Sequence, residues 1–230
     1  MLGVSRSRLY EARDVDAELL EPLLSRRETR EPLAYVLGEW GFRGLTLKTD
    51  RRALVPRPET ETLVERALAL VRDVFAPRVL DVGVGGGAIA LAIKAERPEA
   101  RVTGIDASAS ALALARENAA ALALDVELRQ AGFAAAADGW DLVVANPPYI
   151  AHGALASLQP ELQWEPREAL VGNGLHEEIA RVADTRAIAF EVGDGQAHSI
   201  SASLAELGYE AIAITRDLGG TERVVEGRRG

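Results

Sequence analysis

The stretch RVLDVGVGGGAIALAI, residues 78–93, decides the fold of this chain of 230 residues. Residues 79–82 are apolar around a single aspartate, as in a buried strand, and a helical pattern begins at Ala88. The glycines between them let a ligand approach the main chain closely, and the start of a helix presents free N–H groups. The stretch therefore predicts a strand, a nucleotide-binding loop and a helix in succession.

Strands and helices continue to alternate after this unit. We predict strands at residues 102–105, 126–128, 142–144, 187–190, 211–214 and 224–225. The predicted helices cover Ala109–Leu122, 176–183 and 199–207, with a further helix upstream at 60–71. Ser108 and Thr60 are the candidate N-caps, because a hydroxyl oxygen can accept a hydrogen bond from the first helical turn. This alternation predicts an α/β protein whose parallel sheet is covered by helices on both faces.

The first sixty residues follow a different pattern. Four leucines at positions 19, 20, 23 and 24 have helical spacing, and Pro32 begins a second short helical pattern that ends at Leu37. Glycines at 38, 41 and 44 punctuate the next segment, which we predict to be a short hairpin. We therefore expect a short helical segment at 1–38, a linking β-hairpin at 39–58 and the α/β domain at 59–230.

A second motif, Asn146-Pro147-Pro148-Tyr149, follows the predicted strand at 142–144. The Asn146 side chain and the Pro147 main chain each offer a carbonyl acceptor, and the prolines restrict the backbone that holds them. Tyr149 can stack on a flat group. Asn-Pro is also a common turn initiator, but ligands of parallel sheets gather at the carboxyl ends of strands. We predict that Asn146, Pro147 and Tyr149 are catalytic residues that grip a planar NH₂ group facing the glycine loop.

The glycine loop carries its own acidic partners. Gly83, Gly85 and Gly87 alternate with other residues, and Asp81 precedes them by two positions. This spacing resembles the cofactor loop of S-adenosylmethionine-dependent methyltransferases more than the Gly-x-Gly-x-x-Gly of hydride-transfer enzymes. Asp106 ends the next strand, where an acceptor for two ribose hydroxyls belongs. The alternatives are a turn-capping carboxylate for Asp81 and an acid at a helix start for Asp106.

The composition argues against several classes of function. The chain has 35 acidic against 26 basic residues and a net charge of −9, a poor match to a polyanion. It has no cysteine, and its three histidines at 152, 176 and 198 lack ligand spacing, so we expect surface histidines and no metal site. No segment has the pattern of a membrane span or a signal peptide. We expect a cytoplasmic protein without stable nucleic-acid binding or membrane association.

Four further stretches narrow the resemblance. They are REPLAYVLG at 30–38, LVPRPETE at 54–61, FEVG at 190–193 with Gln196, and DLGGTERVV at 217–225. Together with the Asn-Pro-Pro-Tyr motif they resemble the PrmC/HemK release factor glutamine methyltransferases over about residues 30–230. The resemblance implies a class I S-adenosylmethionine-dependent methyltransferase. Its Rossmann-like sheet would have seven strands, the last of them antiparallel, and the short helical N-terminal segment would help dock the substrate.

The resemblance also implies a reaction and a partner. The reaction is methylation of the glutamine side-chain amide in the Gly-Gly-Gln loop of peptide chain release factors by S-adenosylmethionine, and we expect a monomer. Glu59, Glu191 and Pro148 would join the other motif residues in substrate binding, and Asn146 would also contact the cofactor. The family often places a carboxylate beside an aromatic to hold adenine. In this chain Phe133 follows Gln130-Ala131-Gly132, so the carboxylate is missing and Phe133 is the residue left to pack on the adenine base. The segments at 1–30 and 172–185 are shorter than usual for the family.

Two other functions remain open at this level. An amino-methyltransferase acting on an exocyclic amino group of DNA or RNA would share the Asn-Pro-Pro-Tyr grip, although it should carry basic recognition segments. A cofactor-binding protein that has lost substrate docking would serve as an interaction module. Transfer of labelled methyl groups to candidate substrates separates these possibilities.

Overall fold

A mostly parallel sheet of seven strands forms the centre of the molecule. The computed structural model describes residues 17–150, 153, 159–172 and 174–230. The strands of this sheet are β3 (Arg78–Val82), β4 (Arg101–Asp106), β5 (Glu127–Gln130), β6 (Leu142–Ala145), β7 (Ala187–Glu191), β8 (Glu210–Arg216) and β9 (Glu222–Arg228). Their spatial order is β5-β4-β3-β6-β7-β9-β8, and β9 runs antiparallel to both of its neighbours. The expected α/β sheet with an antiparallel last strand is confirmed.

Helices cover both faces of the sheet, as the alternation predicted. They are α3 (Thr60–Leu70), α4 (Ala88–Glu96), α5 (Ala109–Leu122), α6 (Leu175–Val182) and α7 (Ala197–Glu206). Helices α3, α4 and α5 pack into one apolar cluster, and α6 and α7 pack into another. Strand side chains alternate between the two clusters: Leu142 and Val144 lie in the first, and Val143 in the second. This period of two is what a strand buried on both faces requires.

The N-terminal region precedes the sheet. It consists of α1 (Ala17–Glu28), α2 (Leu33–Leu37) and a hairpin of β1 (Glu39–Phe42) with β2 (Leu45–Lys48). The predicted helices and hairpin are present, while residues 1–16 of the expected helical segment lie outside the described residues. The hairpin itself ends at residue 48, and no helix or strand covers 49–59. The division of the chain into three parts remains a prediction.

Several local predictions need correction. Ser108 is an N-cap, since its hydroxyl accepts from the Ala111 N–H at 3.3 Å. Thr60 is not: it is the first residue of α3 itself, and its side chain is buried. Strand β5 begins one residue later than predicted, and β8 and β9 are longer because their antiparallel pairing continues beyond the apolar runs. Within the described part of the chain, no helix is long and apolar enough to cross a membrane.

Candidate active site

Three adjacent strands deliver the predicted site residues to one edge of the sheet. Val82 pairs with Ile105 on one side and with Ala145 on the other. Gly83, Asp106 and Asn146 are the next residues along these three parallel strands, so all three lie side by side at the carboxyl ends. This is the crevice where ligands of open α/β sheets bind. The glycine loop and the Asn-Pro-Pro-Tyr motif therefore face a common space.

The glycine loop adopts backbone angles that favour glycine. The φ angles are +77° at Gly83, +54° at Gly85 and +95° at Gly87. At Gly87 space is also limiting, because a Cβ there would lie 2.8 Å from a terminal carbon of Leu91. The loop is further held by the Ile105 carbonyl, which accepts from the Gly83 N–H at 2.9 Å. A side-chain-free main chain is thereby presented at the start of α4.

Asp81 supports this loop from behind. Its side chain is fully buried, and one carboxylate oxygen accepts from the Ala90 N–H at 3.0 Å, in the first turn of α4. The other oxygen has no hydrogen-bond partner among the residues that the structure describes. Burial raises the pKa of Asp81 to about 7, opposed by the Ala90 hydrogen bond and assisted by the nearby charge of Asp106. This contact is the one expected of a turn-capping carboxylate. Asp81 is not among the residues lining the crevice, and its contact with a cofactor stays a prediction.

Asp106, by contrast, borders open space. One of its oxygens accepts from the Gly85 N–H at 2.9 Å and the other from the Ser108 N–H at 2.8 Å. It lines a cavity of about 130 Å³ together with Gly83, Gly85 and Asn146. A carboxylate has about four lone-pair sites, so each oxygen retains acceptor capacity for a ligand hydroxyl. Gly-rich main chain, a carboxylate with free lone pairs and an adjoining cavity fit a nucleoside-bearing cofactor.

Phe133 lies apart from these cavities. It begins a 3₁₀ turn, Phe133–Ala137, and is half-buried against the apolar cluster under α6 and α7. It is not one of the residues that line the cavities beside the glycine loop. Its contact with adenine stays a prediction.

The Asn-Pro-Pro-Tyr motif lines a larger cavity of about 560 Å³. The walls combine apolar side chains with several carboxylates. The lining residues include Pro32, Leu33, Trp40, Val55, Arg57, Glu59, Asn146, Pro147, Pro148, Tyr149, Leu162, Glu161, Glu165 and Glu191. Asn146 lines this cavity and also the two beside the glycine loop, so it stands where the two spaces meet. All six predicted substrate-binding residues border the larger cavity.

Glu191 lies beside Asn146 because Ala145 pairs with Phe190 in neighbouring parallel strands. Its side chain is completely buried, and within the described part of the chain neither oxygen makes a hydrogen bond of good geometry. Burial raises the pKa of Glu191 to about 7, although the nearby Thr60 and Asn146 side chains and the charge of Arg223 act to lower it. The Asn146 amide nitrogen in turn donates to the Thr60 hydroxyl at 3.4 Å. A completely buried carboxyl group therefore lies beside the predicted catalytic amide.

Tyr149 packs against Gly193 of the FEVG stretch and against Gln196, three residues further along. The Gln196 side chain accepts from the Gly193 N–H at 2.9 Å and donates to the Tyr149 carbonyl at 3.5 Å. A Cβ on Gly193 would lie 2.9 Å from the Tyr149 ring, so glycine is needed for this approach. Burial raises the pKa of the Tyr149 hydroxyl above its ordinary value. Tyr149 is thus a neutral, largely buried wall of the cavity.

Sequence reasoning missed a carboxylate that lines the larger cavity, Glu165. Glu165 accepts from the Val55 N–H at 2.9 Å through one oxygen and from the Arg57 guanidinium through the other. It follows a 3₁₀ turn, Pro160–Trp164, and its side chain is almost fully buried. Its partners lie 108 and 110 residues away, and no local pattern marks such a pair. Thr60 was also missed as a site residue, because its only local signal was that of a helix cap.

The expectation of surface histidines is wrong for one of the three. His176 is buried, and its Nε2 lies 2.8 Å from the Glu191 carbonyl oxygen. Burial lowers its pKa. His198 is exposed, and His152 lies outside the described residues. Among the residues that the structure describes, no cluster of His, Asp or Glu could hold a metal ion.

Comparison with known proteins agrees with this geometry. A family model described as "Methyltransferase small domain" matches residues 60–180. A release factor glutamine methyltransferase of Fusobacterium nucleatum subsp. nucleatum is 38% identical over 238 residues, which covers 97% of this chain and 67% of that protein. The protein of the same name from Deinococcus radiodurans is 42% identical over 216 residues, covering 90% of this chain and 77% of the relative.

Solved structures share the fold. The hMettl16 catalytic domain, in complex with MAT2A 3'UTR hairpin 6, aligns with a TM-score of 0.68 at 13% identity, covering 97% of this chain and 96% of that one. The T. thermophilus 16S rRNA N2 G1207 methyltransferase RsmC, in complex with AdoMet and guanosine, aligns at 0.58 and 17% identity, covering 84% and 50%. At such identities the likeness shows the class I methyltransferase fold alone. The sequence relatives go further, and this chain belongs to the release factor glutamine methyltransferase family.

Proposed function

We propose that this protein transfers a methyl group from S-adenosylmethionine to the side-chain amide nitrogen of the glutamine in the Gly-Gly-Gln loop of a peptide chain release factor. One observation carries the proposal for the site. Asn146 stands between the cavities beside the glycine loop and the larger cavity, with the Pro147 carbonyl next in the chain. An amide held there would lie within reach of a cofactor bound at the glycine loop. The family relationship supplies the substrate class.

The chemistry needs positioning more than acid–base catalysis. An amide nitrogen is a poor nucleophile because its lone pair is delocalised into the carbonyl group. Hydrogen bonds from its two N–H atoms to the carbonyl oxygens of Asn146 and Pro147 would increase the charge on nitrogen and fix the direction of its lone pair. Both effects stabilise the transition state, in which charge develops on the reacting atoms, and so lower the barrier to methyl transfer. Tyr149 would cover the flat amide and exclude water.

The residues present fit the cofactor. Gly83 and Gly85 offer main chain without side chains, and the Asp106 carboxylate would accept from the ribose hydroxyls. Asp81 would act indirectly, by anchoring the loop to α4. S-adenosylmethionine, when bound, supplies an electrophilic methyl group on sulfur. The chain's own task is to aim the substrate nitrogen at it.

The larger cavity suits a short peptide loop better than a nucleic acid. Its volume of about 560 Å³ is in the range of small-molecule sites, enough for one side chain and narrow flanking residues. Arg57 is the one basic residue among the described residues of its wall, and it is paired with Glu165, so the wall offers phosphates no unpaired cation. We therefore propose a protein substrate and no stable nucleic-acid binding. The family relationship supports the further proposal that the protein acts in the cytoplasm. The monomeric state remains a prediction that light scattering would check.

The test is a side-by-side incubation with labelled cofactor. A release factor should become labelled on the loop glutamine, as located by mass spectrometry. A release factor variant with that glutamine replaced should stay unlabelled, and so should DNA and RNA. Label on nucleic acid with none on the protein would instead support the exocyclic-amino alternative. Cofactor binding with transfer to no substrate would support a binding module.

A further inference from the structure

In the proposed reaction, the side-chain oxygen of Asn146 must face the substrate. The shape of the amide group does not determine whether its oxygen or its NH₂ group faces that way. The oxygen and the NH₂ group of an asparagine side chain have nearly the same size, so hydrogen bonds determine which one faces which side. If the NH₂ group faced the substrate, it would oppose the N–H atoms of the reacting amide. Turnover therefore requires a partner that selects one orientation.

Thr60 supplies such a partner. Its hydroxyl oxygen lies 3.4 Å from the Asn146 nitrogen and accepts a hydrogen bond from it. Thr60 is only 4% exposed and begins α3, which packs against β6 and β7. The hydroxyl is thus fixed by the fold rather than by solvent. The local sequence offered only a capping role for this residue, and the structure contradicts that role.

Glu191 adds an electrostatic reason for the same orientation. Its completely buried carboxyl group lies next to Asn146 at the end of the neighbouring strand, and its oxygens lack hydrogen bonds of good geometry. When ionised, this carboxyl group attracts an NH₂ group and repels a carbonyl oxygen. Burial raises the pKa of Glu191, and the nearby Thr60 and Asn146 side chains oppose that rise, which fits donors directed at the carboxyl group. A hydroxyl can donate as well as accept, so Thr60 selects the NH₂ group when its own proton is directed to another acceptor, and the neighbouring Glu191 carboxylate is that acceptor.

We propose that Thr60 is a positioning residue whose hydroxyl, backed by Glu191, holds the Asn146 amide with nitrogen inward and oxygen toward the reacting glutamine. This inference rests on the proposed function for its consequence in turnover, but the orientation itself is a property of the protein alone. A chain of hydrogen bonds from Asn146 through Thr60 to Glu191 would also polarise the amide and strengthen its oxygen as an acceptor.

The experiment compares Thr60→Val with Thr60→Ser. Valine keeps the branched shape without the hydroxyl, and serine keeps the hydroxyl. Thr60→Val should lower kcat on a release factor about tenfold, the scale of one hydrogen bond, with KM and cofactor affinity changed less than about twofold. Thr60→Ser should restore most of the turnover. Equal kcat for Thr60→Val and the wild type would overturn the proposal.

Two further measurements distinguish positioning from folding. In an Asn146→Ala background, Thr60→Val should cause no additional loss, because the group it positions is gone. A fully additive loss would show that Thr60 acts elsewhere. Should Thr60→Val unfold, Thr60→Ala provides the same comparison with a smaller side chain.

The orientation can also be followed without any substrate. The side-chain ¹H–¹⁵N signal of Asn146, assigned by its loss in Asn146→Ala, should shift and exchange faster with solvent in Thr60→Val but not in Thr60→Ser. An unchanged signal would refute the contact. If the wild type labels no release factor while this signal behaves as expected, the proposed function fails and the positioning contact stands.

Discussion

Replacing Glu191 by glutamine removes a carboxylate charge that is buried away from water. Burial raises the pKa of Glu191 from 4.5 to about 7. The folded protein therefore holds this proton more tightly than the unfolded chain does. The carboxyl group contributes its full stability below about pH 4.5, and this contribution is lost as pH rises through about 7. At about 1.4 kcal/mol for each pH unit, the loss above pH 7 is at most about 3 kcal/mol.

Glu191→Gln keeps the shape and is neutral at every pH. It should raise the free energy of unfolding by up to about 3 kcal/mol at pH 8, but by less than about 1 kcal/mol at pH 5. Urea unfolding of both proteins at the two pH values measures the difference. Glu59→Gln is the matched control, since Glu59 lines the same cavity but is only half-buried. A gain that is the same at both pH values, or no gain at pH 8, would refute the argument.

Three other outcomes follow from the site. Asn146→Ala should reduce turnover by roughly two orders of magnitude while calorimetric cofactor affinity stays nearly intact; normal turnover would remove Asn146 from the catalytic machinery. Asp106→Ala should weaken S-adenosylmethionine binding by about 1.5–3 kcal/mol in calorimetry, and unchanged affinity would mean that the carboxylate serves the loop alone. Gly87→Ala should destabilise the protein by more than Gly44→Ala in urea unfolding, because both have positive φ but only Gly87 also meets Leu91. Equal losses would show that the contact with Leu91 is relieved at no cost.

Local sequence patterns predicted the sheet and the crevice because both features depend on residues that lie close together in the sequence. Residues 142–145, whose side chains alternate between the two apolar clusters, form a continuous apolar stretch in the sequence. The glycine loop directly follows a second predicted strand, at residues 79–82. Parallel strands then place their carboxyl ends together without further information. Asp106 and Asn146 could be assigned to one edge for this reason alone.

Contacts that depend on distant parts of the chain could not be predicted in the same way. Glu165 is fixed by Val55 and Arg57, more than a hundred residues earlier. His176 looks like a surface residue in sequence, but it is buried against the carbonyl of Glu191. Burial of a polar side chain depends on which partner the fold brings to it, and single-sequence periodicity carries no record of that partner.

The convergence at Asn146 explains why separate stretches of this sequence belong together. Thr60 comes from the LVPRPETE stretch, Asn146 from the Asn-Pro-Pro-Tyr motif and Glu191 from the FEVG stretch. Each could serve a local structural purpose by itself. The fold places the Thr60 hydroxyl and the Glu191 carboxyl beside one amide group, which itself borders the cavities of the site. A buried carboxyl without good hydrogen bonds costs stability, so its position beside the amide is better explained by the reaction than by folding.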